Sequence, residues 1–187
     1  MLVPSGPTVW TLGHSNRAWD AFLALVEGHR IELLADVRHF PLSRHVPWAN
    51  GPALAAALEA AGIGYVHHVD LGGYRKPRPD STNTGLRSAG FRGYADHMET
   101  EAFRRALETL LGEASTRRTA IVCAEAVPWR CHRSFLSDAL LVRGARVVHI
   151  LGPREVRDHR LSELARVRGG LPRYPVPTGK ALKPPRL

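Results

Sequence analysis

Five short apolar runs, each followed by a segment of helical periodicity, constrain this chain more than any other feature. Val9–Leu12, Ile31–Val37, Ile63–Val69, Thr119–Val122 and Ala145–Leu151 have the length and apolar content of buried strands. Trp19–His29 carries apolar residues at helical spacing. Pro52–Ala61 is Ala-rich, with proline at a permitted first-turn position and Gly62 as a stop. Phe91–Ala114 sets Phe103, Leu107, Leu110 and Leu111 on one helical face, and Ser134–Arg143 and Glu155–Arg166 read as two further helices. Strict strand-helix alternation predicts a three-layer α/β fold: a mainly parallel five-stranded sheet with helices on both faces and right-handed crossovers. Residues 1–168 form a single domain in this reading, and the basic, Pro-rich residues 169–187 a flexible tail.

A parallel sheet gathers the carboxyl ends of its strands on one edge, where ligands of open α/β sheets bind. Here that edge collects Gly13-His14-Ser15-Asn16, Asp36 with Arg38, Leu71-Gly72-Gly73 and the turn Cys123–Arg133. The polar loop 74–90 is expected to lie over it. The turn holds both cysteines of the chain, Glu125, Arg130, His132 and Arg133. A turn needed only to reverse direction would use Gly, Asn, Asp or Ser.

Charge adds a second constraint. Segments 38–50, 72–92, 128–133 and 168–187 together hold more positive charge than the whole chain's net +9, so the remainder is acidic. A basic set of loops suits a phosphorylated ligand or a polyanion, although general basicity would look the same. No apolar run approaches the ~18 residues of a membrane span, and the first residues lack the features of a signal peptide. Two cysteines are too few for a disulfide scaffold, so a cytoplasmic, reduced protein is expected. Glycine-rich phosphate loops and a Gly-x-Ser-x-Gly elbow are absent, which argues against dinucleotide enzymes, Walker ATPases and serine hydrolases. No cofactor is expected.

Several motifs occur in an order that resembles a known family. They are Thr11-Leu-Gly-His-Ser-Asn16, Asp36-Val-Arg38 with Pro41, Gly62-Ile with Tyr65, Leu71-Gly-Gly73, Phe91-Arg-Gly-Tyr-Ala-Asp96 and Cys123-Ala-Glu-Ala-Val-Pro-Trp-Arg-Cys-His-Arg133. Together these resemble the family known as "domain of unknown function 488", over about residues 9–151. The resemblance implies a shared fold and site but no particular reaction, so function rests on the residues themselves.

Cys131 stands just before a helix and between Arg130 and Arg133, a setting that favours a thiolate nucleophile; a packed thiol is the alternative. Cys123, within a strand, reads as a buried structural thiol. Glu125 should project to the same side as Cys123 and serve as general acid or base, or else pair with Arg130 or His132. His14 is expected to face the cleft as a proton-transfer group, while Ser15 or Asn16 contacts ligand or caps the helix near Trp19. Asp36 and Arg38 form an ion pair, or Asp36 holds Arg38 for a phosphate. Arg92 and Tyr94 read as anion or stacking contacts, and Gly72 and Gly73 as a close approach to ligand. Zinc is disfavoured: the spacing is not Cys-x-x-Cys, and adjacent Cys131 and His132 seldom share one ion.

The leading expectation is an enzyme acting on a nucleotide or nucleic acid by hydrolysis or transfer, with N-glycosidic cleavage as a fitting reaction. Arg38, Arg92, Arg130 and Arg133 would hold the anion, and Glu125 and His14 would move protons. A cysteine-dependent sulfur- or phosphoryl-transfer enzyme is the first alternative. A non-catalytic nucleic-acid-binding module is the second.

Overall fold

The computed structural model describes residues 6–176. Five strands run parallel: β1 (Thr8–Gly13), β2 (Leu33–Asp36), β3 (Gly64–His67), β4 (Thr119–Cys123) and β5 (Arg146–Ile150). A sixth, β6 (Val156–Asp158), adds antiparallel to β5, giving the order β3-β2-β4-β1-β5-β6. Register sets Gly13 beside Cys123 and Asp36 beside Val122, so β1, β2 and β4 end nearly level.

Side chains alternate between two cores. One face buries Leu12, Leu34, Ala120 and Val122 against α1 (Trp19–Gly28) and α2 (Gly51–Ala60), whose Phe22, Leu25, Leu54 and Leu58 face the sheet. The other buries Val9, Ala35, Ile121 and Val147 against α3 (Ala89–His97), α4 (Glu101–Thr116) and α5 (Arg133–Val142). A fully buried side chain such as Phe103 or Leu107 contributes roughly 1.5–3 kcal/mol. The architecture is the expected three-layer α/β fold, and no helix among the described residues is long and apolar enough to cross a membrane.

Three sequence expectations are corrected. The segment 155–166 is not a helix. A turn at Gly152–Glu155 reverses the chain, closed by Leu151 N–H to Glu155 O at 2.9 Å, and Val156–Asp158 pairs with β5. The single helix expected over 91–114 is two helices. Thr100 starts the second, its hydroxyl accepting from Phe103 N–H. The tail is not wholly loose. Gly169 and Gly170, at φ +59° and +73°, make the left-handed turn that joins β7 (Arg166–Arg168) to β8 (Leu171–Arg173). Tyr174 beyond it is fully buried and donates to Asp138 Oδ2 at 2.7 Å. The rest of the expected tail, 177–187, lies outside the described residues.

Candidate functional site

Two sulfurs and one imidazole nitrogen converge where β4 ends and α5 begins. Cys123 closes β4, a 3-10 turn spans Pro128–Arg130, and Cys131 precedes the helix. His132 Nδ1 lies 3.6 Å from Cys131 Sγ and 4.0 Å from Cys123 Sγ. Its other nitrogen, Nε2, is 2.8 Å from Val37 O. A carbonyl only accepts, so Nε2 carries the proton and Nδ1 presents a lone pair to the sulfurs. Cys131 Sγ also accepts the Arg133 backbone N–H at 3.5 Å. The interaction between the two cysteines pulls the Cys131 thiol below its ordinary range and pushes Cys123 up; the Arg133 charge lowers Cys131 further, against burial. The pair therefore holds its first negative charge at residue 131.

This cluster forms part of the wall of a cavity of about 350 Å³. Arg38, His39, Glu125 and Arg130 bring polar groups to it, and Phe40, Tyr74, Phe91 and Tyr94 bring rings. Phe40 and Tyr74 are exposed, with ring centres 6.1 Å apart. His39 Nδ1 is buried without a partner. Sequence reasoning passed over His39, Phe40 and Tyr74; the signal was that His39 and Phe40 follow the end of β2 closely and that Tyr74 follows Gly72-Gly73 in the loop after β3.

Asp36 and Arg38 make a different kind of cluster. Arg38 donates through Nε to Asp36 Oδ1 at 2.9 Å and through Nη2 to Oδ2 at 2.5 Å. Tyr65 donates its hydroxyl to Oδ2 at 2.9 Å. Arg38 Nη1 lies 3.3 Å from His14 Nε2, and His14 Nδ1 donates to Ser15 O at 2.8 Å. Both nitrogens of His14 are thus committed, and burial lowers its pKa. His14 is absent from the cavity wall; it orients Arg38, contrary to the cleft-facing role expected of it. Arg38 reaches the cavity while held by the acid beneath it.

Other expected site residues take other places. Arg133 is 1% exposed and turns under the loop, donating to Glu125 O and Ala126 O. It fixes the turn's backbone and does not line the cavity. Glu125 is exposed, not buried as one reading expected, and no ion pair holds its carboxylate among the described residues. Neither Ser15 nor Asn16 caps α1, whose N-cap is Ala18; Ser15 adopts φ 50° and bonds to Asn16. Arg92 is half-buried on α3 and off the cavity wall, whereas Tyr94 lines it and donates to Leu71 O at 2.9 Å. Gly72 and Gly73 serve close packing: a Cβ on Gly72 would meet His39 Cα at 2.7 Å, and one on Gly73 would meet His132 Nδ1 at 3.0 Å.

The fold and these motifs agree with the comparison against known families. The model of a family described as "Domain of unknown function DUF488" matches residues 18–140, well over half of the chain. The protein belongs to that family. No curated protein and no solved structure matches the chain.

Proposed function

We propose that the protein is an enzyme that hydrolyses, or transfers a group from, a nucleotide or nucleic-acid ligand. One observation carries this reading: a single cavity brings an exposed carboxylate, Glu125, together with Arg38, Arg130 and the exposed rings of Phe40 and Tyr74. Arginines bind phosphate oxygens in fork geometry, and exposed rings stack on bases. The volume lies near the lower end of small-molecule sites, roughly 300–1,000 Å³.

N-glycosidic cleavage suits the layout. Glu125 would orient a water and take its proton while the water oxygen bonds to the sugar C1′. The C1′–N bond breaks, its electron pair leaves with the base, and the base takes up a proton. A carboxylate beside the sugar favours the oxocarbenium-like transition state. A second reading is favoured by the lowered thiol of Cys131, whose sulfur would bond to phosphorus or to the outer sulfur of a persulfide donor, expel the donor's oxygen or thiolate with the bonding pair, and hold the group until water or an acceptor displaces it.

The test is chromatography of free base, with free phosphate measured in parallel, from mononucleotides and from single- and double-stranded oligonucleotides of all four bases. Base or phosphate release is the expected result. A covalent adduct on Cys131 during turnover, seen by mass spectrometry, would move the assignment to thiol chemistry. No release from any substrate would refute the hydrolytic reading and the phosphoryl form of the second.

A further inference from the structure

We propose that Cys123 Sγ, Cys131 Sγ and His132 Nδ1 form a binding site for a divalent metal of zinc type, with its fourth coordination position open to the cavity. The metal's catalytic role rests on the hydrolytic reading above; the binding site itself does not. Among the described residues, these three form the one group of His, Cys, Asp and Glu donors close enough to share an ion.

Distances carry the argument. With zinc–sulfur near 2.3 Å and zinc–nitrogen near 2.0–2.1 Å, tetrahedral angles set sulfur and nitrogen about 3.6 Å apart and two sulfurs about 3.8 Å apart. The sulfur–nitrogen separations here are 3.6 and 4.0 Å, and all three donor atoms lie within 4.8 Å of one another. Adjacent residues can share the centre because the backbone turns between them. Cys131 is extended at φ −137°, ψ 155°, and His132 enters the helical region at φ −57°, ψ −19°. That change of direction swings both side chains to one point.

The surroundings fit as well. His132 donates its remote N–H to Val37 O, the support that fixes a ligating imidazole. The backbone N–H of Arg133 reaches the sulfur of Cys131 at 3.5 Å. Soft sulfur with imidazole selects zinc over magnesium or calcium. Two cysteines and a histidine make three protein ligands, the number that leaves a catalytic zinc one position for water. Glu125 follows Cys123 by two residues and lines the same cavity. A metal-bound water would lose its proton to Glu125. The hydroxide would bond to the electrophilic centre, and the leaving group would depart with the proton returned by Glu125.

The probes are Zn²⁺ and Co²⁺ added to the full chain, kept reduced with a phosphine. One equivalent of zinc per chain is expected by titration and elemental analysis. Cobalt should give a thiolate charge-transfer band and the intense visible bands of a tetrahedral centre. Cys123→Ser and Cys131→Ser should each weaken binding by tenfold or more, and Gly73→Ala should weaken it too. The cobalt spectrum of the wild-type chain stands independently of how well those variants fold. Added azide should shift the visible bands through the open position.

No equivalent bound by the reduced chain, or cobalt without a thiolate band, would overturn the site. Bands indifferent to azide, or metal lost in Glu125→Gln, would overturn the open position. Zinc bound as described with no base or phosphate released would leave the site standing and remove the hydrolytic reading. Turnover that persists undiminished in chelator-treated protein would keep the hydrolytic reading and overturn the metal's catalytic role.

Discussion

The two buried polar clusters at the sheet edge differ in how far they satisfy themselves. In the Asp36–Arg38 cluster, the carboxylate accepts from Arg38 and Tyr65, and Arg38 turns a further donor to His14. Almost every lone pair and proton has a protein partner. In the Cys123–Cys131–His132 cluster, the long contacts of 3.6 and 4.0 Å leave a nitrogen lone pair and two sulfurs converging on one point beside a cavity. Closure marks the first as a scaffold that presents Arg38. Convergence without closure leaves the second with donor atoms that the protein itself does not satisfy. The difference lies in unspent hydrogen-bonding and ligand capacity, since both clusters are similarly buried.

The comparison breaks most readily at Asp36. Asp36→Ala strands the buried Arg38 charge and should lower stability by about 3–5 kcal/mol in denaturant titration. Cys131→Ala should lower it by only about 1 kcal/mol, the ordinary cost of a point change. Equal losses would erase the distinction between scaffold and site.

Acid probes a third closed network. Thr11 Oγ1 lies 2.8 Å from His149 Nδ1, His149 Nε2 lies 3.0 Å from His159 Nδ1, and His159 donates to Asp138 at 2.9 Å. Burial, then the neighbouring His159, lowers the His149 pKa from 6.5 to about 3. The unfolded chain therefore takes up this proton first. Its contribution is intact above pH 6.5 and is lost as pH falls from 6.5 toward 3, at up to about 1.4 kcal/mol per pH unit. His14 shifts in the same direction. Melting temperatures across that range should fall in the native chain and fall less in His149→Gln; parallel curves would contradict the assignment.

A smaller effect sharpens the thiol half. In metal-free, reduced protein at neutral pH, iodoacetamide should modify Cys131 several-fold faster than Cys123, read by peptide mass. Equal, slow modification would leave Cys131 a packed thiol. The smallest effect belongs to the stability of Glu125→Gln, which should change by no more than about 0.5 kcal/mol because the side chain is exposed.

The parallel sheet was legible because β1 to β5 are short apolar runs set between helical segments. Both ends of the site, Gly13–Asn16 and Cys123–Arg133, could be placed on one edge for the same reason. The 155–166 segment was not legible: Leu161 and Ala165 do face a core, but as turns packing on it, and short apolar spacing cannot separate that from a helix. Side-chain direction was the other gap. Alternation was extended from Cys123 to Glu125, yet the strand ends at Cys123, so period-2 reasoning fails beyond it. Arg133 looked like an anion ligand by charge, but its place in the first turn of α5 directs it back under the loop. The union of Cys131 and His132 at one point depends on a backbone turn between them that residue spacing does not encode.

The proposed hydrolysis, with Glu125 as its proton-handling group, is tested by one paired measurement on Glu125→Gln. Melting temperature and the rate of base or phosphate release from the oligonucleotide and nucleotide panel are measured on the same sample. The melting temperature should be unchanged and the rate lowered on the order of 10²–10⁴-fold. An unchanged rate, or a fall in rate matched by a fall in melting temperature, would contradict it.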